Sequence, residues 1–305
     1  VNGKNVIMLI VLASMWGASF LFMRVAAPVF GPVFTTELRV AIAAAALLVY
    51  AGASGHRPAI LRQWKQYLVL GGLNAAIPFS LICLAELHLT ASLAAILNAT
   101  TPLFAALIGW GIDRKPLGWG KIAGLLLGLT GVVILMGWSP VGYGTWVYAS
   151  VAFSLLAALT YGLAGHYTQR AFKGVKPLDM AIGQQLGAAV LLLPLALVFL
   201  PEQAPTANAV YSVLALSLIC TSLAYLIFFR LVSQVGPIKT LSVTFLVPVF
   251  GTVWGALFLG EQLHVNTVVG LFIILGSITL VNEIRVFKRR PKSILPTGRG
   301  IRGDR

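Results

Sequence analysis

Apolar residues run along this chain in blocks of about twenty, the length that crosses the hydrocarbon core of a bilayer, with short polar gaps between them. Ten such blocks are predicted as helices, at about 5–24, 33–52, 67–86, 91–110, 119–138, 146–167, 179–199, 210–230, 236–257 and 266–284. The first block, with Lys4 ahead of it and Val25-Ala26-Ala27 near its end, has the outline of a cleaved leader. It recurs later as part of a repeat, so it reads as a retained span.

Shifting the chain along itself by 145 to 146 residues aligns all five pairs of blocks. Pro102 falls on Pro248, Leu117 on Leu263, Gly124 on Gly270, Phe79 on Tyr225 and Asn98 on Thr244; at the shorter offset Trp16-Gly17 falls on Tyr161-Gly162 and Arg39 on Gln184. Five spans is an odd number, so the second half enters the membrane upside down. The fold class predicted is all-α integral membrane: ten helices as two inverted five-helix repeats, residues 1–138 and 146–285, around a central cavity. Residues 286–305 form a basic tail too poor in apolar residues to order itself.

Composition agrees. Of 305 residues 58% are hydrophobic and 10% charged, and the mean hydropathy is +0.91, whereas a soluble domain carries about 25% charged residues. A soluble enzyme is excluded. The net charge of +14 does not form a face of Lys and Arg interleaved with stacking aromatics, so no nucleic-acid partner is expected. With ten spans and the N-terminus inside, every Lys and Arg except Arg24 and Arg39 falls on the cytoplasmic side. The expected topology is therefore multi-pass with both termini cytoplasmic. Cys83 and Cys220 lie inside apolar blocks and are expected as free thiols, Cys220 the more water-accessible.

Chemistry-bearing motifs are few. The chain holds no G-x-S-x-G, H-E-x-x-H or phosphate-binding Gly loop and no paired membrane-depth aspartates. An enzyme, an ATP-driven pump, a cofactor and a metal are all unexpected, and the charge rings or repeated filter of a channel are missing. Symmetric prolines point to a site, because a proline leaves a backbone carbonyl unbonded where only a cavity, water or neighbour can satisfy it. Pro102 and Pro248 are candidate hinges. Beside them run Ala94, Asn98, Thr101, Ala105 and the equivalent Thr240, Thr244, Val247, Gly251, stripes that suit either a polar cavity or close helix packing. Asn74, Pro78, Phe79 and Ser80 of the third span and Ser217, Thr221 and Tyr225 of the eighth would add hydroxyls and aromatics, with Trp16, Phe20 and Tyr161 as a further wall. The candidate solute-binding residues are Trp16, Asn74, Phe79, Asn98, Thr101, Tyr161, Thr221, Tyr225 and Thr244. Glu37 and Arg39 are placed in the outer third of the second span, where they would snorkel to the interface or pair with each other or with Glu86. Gly120, Gly124 and Gly128 form a packing stripe.

Trp16-Gly17-Ala18-Ser19-Phe20, Arg39, the prolines of spans four and nine, and Ala256-Leu257-Phe258-Leu259-Gly260-Glu261-Gln262-Leu263 followed by Gly270 resemble the drug/metabolite transporter superfamily in its EamA branch. Within that branch the chain looks closest to bacterial inner-membrane exporters of amino acids of the YddG type, which implies a place in a bacterial inner membrane. The first repeat has Asp113-Arg114-Lys115-Pro116 where the second has Leu259-Gly260-Glu261-Gln262, which makes Glu261 a helix-end feature. The resemblance implies a monomer exporting small zwitterionic metabolites, amino acids including aromatic and hydrophobic ones, through a cavity lined by spans one, three, four, six, eight and nine. Other solutes, such as nucleotide sugars, or a scaffold without transport, are the alternatives.

Overall fold

A computed structural model describes residues 3–113, 118–137, 144–201, 204–236, 240 and 243–281. Among them stand ten apolar helices: α1 (Gly3–Phe30), α2 (Pro32–Ala53), α3 (Leu61–Ala85), α4 (Ala91–Ile112), α5 (Trp119–Gly137), α6 (Thr145–Ala171), α7 (Pro177–Val198), α8 (Ala207–Val235), α9 (Val243–Leu259) and α10 (Val265–Val281). All but α5, α9 and α10 are long and apolar enough to cross a membrane, and those three are shorter apolar helices. In lipid every backbone N–H and C=O needs a partner within its own segment, which turns apolar runs of this length into helices. The helices outrun the apolar blocks because that bonding continues into the interfacial residues, as where α1 passes Arg24 to reach Phe30. Between α1 and α2 the chain reverses at Gly31, whose φ of 76° suits a residue without a Cβ; Pro32 then opens α2, as Pro177 opens α7 one repeat later. The basic tail and the Arg114-Lys115-Pro116 segment lie outside the described residues.

Helix contacts obey the shift that relates the halves. Helix α1 packs on α9 as α6 packs on α4, α3 on α7 as α8 on α2, and α3 on α6 as α8 on α1. The match extends to single residues. A methyl group at Gly17 would fall 2.7 Å from the Phe250 Cβ and 2.8 Å from the Gly251 nitrogen, and one at Gly162 would fall 3.0 Å from the Ala105 nitrogen. Gly162 is the repeat counterpart of Gly17, and Ala105 that of Gly251. The same backbone approach is thus built twice, in opposite directions.

Helices α5 and α10 pack on one another at the edge of the bundle. A Cβ at Gly124 would meet Val281 at 2.6 Å, and one at Gly131 would meet Ile274 at 2.8 Å. The glycine stripe is a packing seam, the small-residue contact that lets helices associate where lipid supplies no hydrophobic drive between them.

Candidate functional site

Helices α3 and α8 both widen into π-helical turns, at Gly72–Ala76 and Ala215–Leu223, positions that coincide under the repeat shift. A π turn moves a backbone N–H one residue further from its carbonyl and is common at functional sites. In α8 the loosened carbonyls are taken by side chains: the Thr221 hydroxyl donates to the Leu216 carbonyl at 2.8 Å and Ser222 to that of Ser217 at 2.9 Å, each five residues back. No comparable hydroxyl ladder is present in α3, whose π turn carries Asn74 and is followed by Pro78.

From these turns two polar bridges cross between the repeats. The Asn74 amide donates to Gln184 Oε1 of α7 at 2.8 Å, and Arg39 Nε of α2 donates to Thr221 Oγ1 at 3.0 Å. Gln184 is the repeat counterpart of Arg39, and Asn74 and Thr221 stand one residue apart under the shift of their helices, so the bridges join closely matched places. Around them lie aromatics. The Arg39 guanidinium stacks 3.7 Å from the Phe79 ring centre, Phe79 meets Tyr161 edge-on at 6.3 Å, and Trp16 meets Tyr225 at the same distance. Tyr225 also hydrogen-bonds Gln184.

Trp16, Asn74, Phe79, Tyr161, Thr221 and Tyr225 are therefore brought into one network. The remaining expected site residues are placed differently. The Thr101 hydroxyl donates to the Asn98 carbonyl at 2.7 Å, within its own helix. Asn98 Oδ1 is buried without a partner among the described residues. Thr244 is half-buried one turn before Pro248 in α9. The small residues of the two stripes serve packing: a Cβ at Gly251 would fall 2.5 Å from that of Ala95.

Three expectations change. Arg39 does not pair with Glu37 or Glu86; its long side chain reaches inward to Thr221, Phe79 and Met23, whose sulfur lies 3.5 Å from Nη1. Glu86 is fully buried near Arg24, which donates to its backbone carbonyl. Cys220 is no more accessible than Cys83; both are free and 1% exposed.

The two ends of the bundle differ. At the end carrying the N-terminus, the His56 Nε2–H donates to Asp179 Oδ1 at 2.5 Å, tying the end of α2 to the start of α7. The repeat counterparts of these residues are Pro201 and Phe34. At the opposite end both line a cavity of about 560 Å³, together with Val33, Ser80, Leu81 and Leu84. Val33 packs in the same cluster as Phe79 and Tyr161, so the cavity abuts the polar network. Equivalent positions are thus joined at one end and separated by a cavity at the other.

Glu261 is indeed a helix-end feature, for a different helix from its own. Its carboxylate accepts from the Ala91 and Ser92 amides at 2.6 and 3.0 Å and from the Ser92 hydroxyl, capping α4 from across the repeat boundary. Glu261→Ala should destabilise the detergent-purified protein by about 2–3 kcal/mol, and Glu261→Gln by less, since an amide oxygen still accepts. An unshifted thermal midpoint in the Ala variant would mean that the cap carries no stability.

The family model of the EamA-like transporter family matches residues 3–137 and 149–283, once in each half. The chain is 27% identical over 285 residues to the uncharacterized transporter YvbV of Bacillus subtilis, covering 92% of each chain. It is 25% identical to a protein named "Probable terminal-alkyne amino-acid exporter" of Streptantibioticus cattleyicolor, over 95% of this chain and 97% of that one. To the uncharacterized inner membrane transporter YedA of Escherichia coli it is 23% identical, over 90% and 89% of the two chains. A solved crystal structure shares the fold, with a TM-score of 0.65 at 18% identity over 93% of this chain and 98% of that one.

Proposed function

Because this chain belongs to the EamA-like transporter family, we propose that it exports small zwitterionic metabolites, amino acids with hydrophobic or aromatic side chains foremost, across a bacterial inner membrane by alternating access. Both termini are cytoplasmic in this reading, and the monomer suffices. The observation that carries it is the paired polar bridge between the repeats, Asn74 to Gln184 and Arg39 to Thr221, walled by Phe79, Tyr161, Trp16 and Tyr225. Hydrogen-bonding groups for a polar head lie beside aromatic surface for a variable side chain. Similarity to the Streptantibioticus protein supports the solute class.

Alternating access needs two seals that open in turn. The His56–Asp179 bond serves as the seal at the cytoplasmic end, and the cavity bounded by Phe34 and Pro201 as the open vestibule at the other. Helix α4, broken at Ala99 and Thr100 ahead of Pro102, and α9, unbroken through Pro248, serve as the paired hinges in their two conformations.

Purified protein in liposomes loaded with labelled amino acids should release leucine and phenylalanine faster than empty-vector controls. Comparing efflux with and without a pH gradient shows whether protons are coupled. Failure to move any amino acid, with other small solutes carried, would overturn the assignment.

A further inference from the structure

Arg39 is 4% exposed in the middle of an apolar bundle. A guanidinium presents five N–H donors. Among the described residues only two protein acceptors reach it: the Thr221 hydroxyl at Nε and the Met23 sulfur, a weak acceptor, at Nη1. Among the described residues no carboxylate oxygen comes within ion-pair distance, the pair found being His56 with Asp179. Desolvating such an ion without a paired acid is costly. The stack on Phe79 returns part of that cost and the buried Glu86 carboxyl acts on the guanidinium only from beyond ion-pair distance, so the charge is only partly balanced by its surroundings.

The repeat supplies an internal control. At the equivalent position of the second half stands Gln184, which bridges to Asn74 as Arg39 bridges to Thr221. A neutral amide therefore meets the demands of the fold at this place. The positive charge on one side only is surplus to structure. Arg24, the other basic residue at membrane depth, is bound to the Glu86 carbonyl. A single cation among aromatics matches a singly charged anion with an apolar body, rather than a phosphate ester carrying two charges.

We infer that Arg39 binds the carboxylate of the transported solute, so that the substrates are small carboxylates whose apolar side chains lie against the Phe79, Tyr161, Trp16 and Tyr225 rings. The inference rests on the transport reading above and narrows it. The planar guanidinium pairs with a carboxylate through two parallel N–H···O bonds, and its unmet donors are those a solute would engage. Thr221 and Phe79 fix the plane of the group, which makes them positioning residues.

Full-length protein in liposomes, assayed by exchange of phenylalanine, leucine and threonine against their uncharged-carboxyl amides, tests this. The parent should carry each acid at least tenfold better than its amide. Arg39→Gln, which copies the other repeat, should retain a thermal midpoint near that of the parent and reduce the acid-to-amide ratio to within about twofold. Arg39→Lys should keep part of the preference. Amides carried as well as acids by the parent, or an undiminished ratio in Arg39→Gln, overturns the inference and leaves amino-acid transport standing. If no acid or amide moves at all, the transport reading itself falls and this inference with it. Should Arg39→Gln fail to fold, the parent's ratio and its change in Arg39→Lys decide.

Discussion

Replacing Pro102 by Ala should slow exchange by ten- to a hundredfold while leaving solute affinity within about twofold of the parent. Proline has no N–H to offer the carbonyl four residues back, here that of Asn98. The Thr101 hydroxyl occupies that carbonyl instead, and Thr100 turns its hydroxyl to the Leu97 carbonyl, so the break in α4 is held open by side chains. Alanine restores the missing donor and lifts a penalty of about 3 kcal/mol against a continuous helix. If the break belongs to one facing state only, that sum biases the conformational equilibrium by roughly two orders of magnitude. Helix α9 runs unbroken through Pro248, with Thr252 donating to the Pro248 carbonyl. The proposed binding residues remain in place, which is why affinity is spared. Exchange and equilibrium binding measured on the same liposome preparation check the split; a parental exchange rate in Pro102→Ala would show that the proline is a static kink.

Much of this architecture is legible in the chain because lipid removes choices. A run of apolar residues that must satisfy its own backbone has helix as its single solution, and a constant shift that aligns Trp16-Gly17 with Tyr161-Gly162 and Pro102 with Pro248 reports the duplication directly. The close approach of Gly17 to Gly251, repeated by Gly162 and Ala105, is the structural counterpart of that shift. Side-chain reach is less legible. Depth counted along α2 puts Arg39 in the outer third, beside Glu37, yet residues two apart in a helix do not face one another, and the long, flexible side chain carries the guanidinium inward. One signal was available: Arg39 and Gln184 align under the shift, and polar residues at matched positions in two apolar helices mark matched roles. The π turn of α8 left no comparable trace, since Thr221 and Ser222 compete there for backbone carbonyls without any repeating residue pattern. The His56–Asp179 contact is equally silent, because a histidine in a polar connection and an acid in the first turn of a helix are each ordinary alone.

Cutting that contact should open the sealed end. The bond joins the two repeats at the end carrying the N-terminus, and its counterparts Pro201 and Phe34 stand apart around a cavity at the other end. In a protein whose halves can exchange roles, the difference between the ends defines the state, and a bond present in only one state sets its population. A hydrogen bond to a charged group contributes about 1.5–3 kcal/mol, so Asp179→Ala should raise the population of the opposite state about ten- to a hundredfold. The sensor is Leu226, which packs against Leu47, Ala51, Ala181 and Ile182 near the sealed end, and its comparison at the other end is Leu81 in the cavity wall. With Cys83 and Cys220 replaced by Ala, a single cysteine is introduced by Leu226→Cys or, in a second protein, by Leu81→Cys, and alkylation by a small charged reagent is followed in each. Asp179→Ala should accelerate labelling of Leu226→Cys at least tenfold while labelling of Leu81→Cys holds or slows, and Asp179→Asn, which keeps an acceptor for His56, should fall between. Acceleration at both positions would mean that the helix has merely loosened, and no change at Leu226→Cys would mean that the bond does not seal this end.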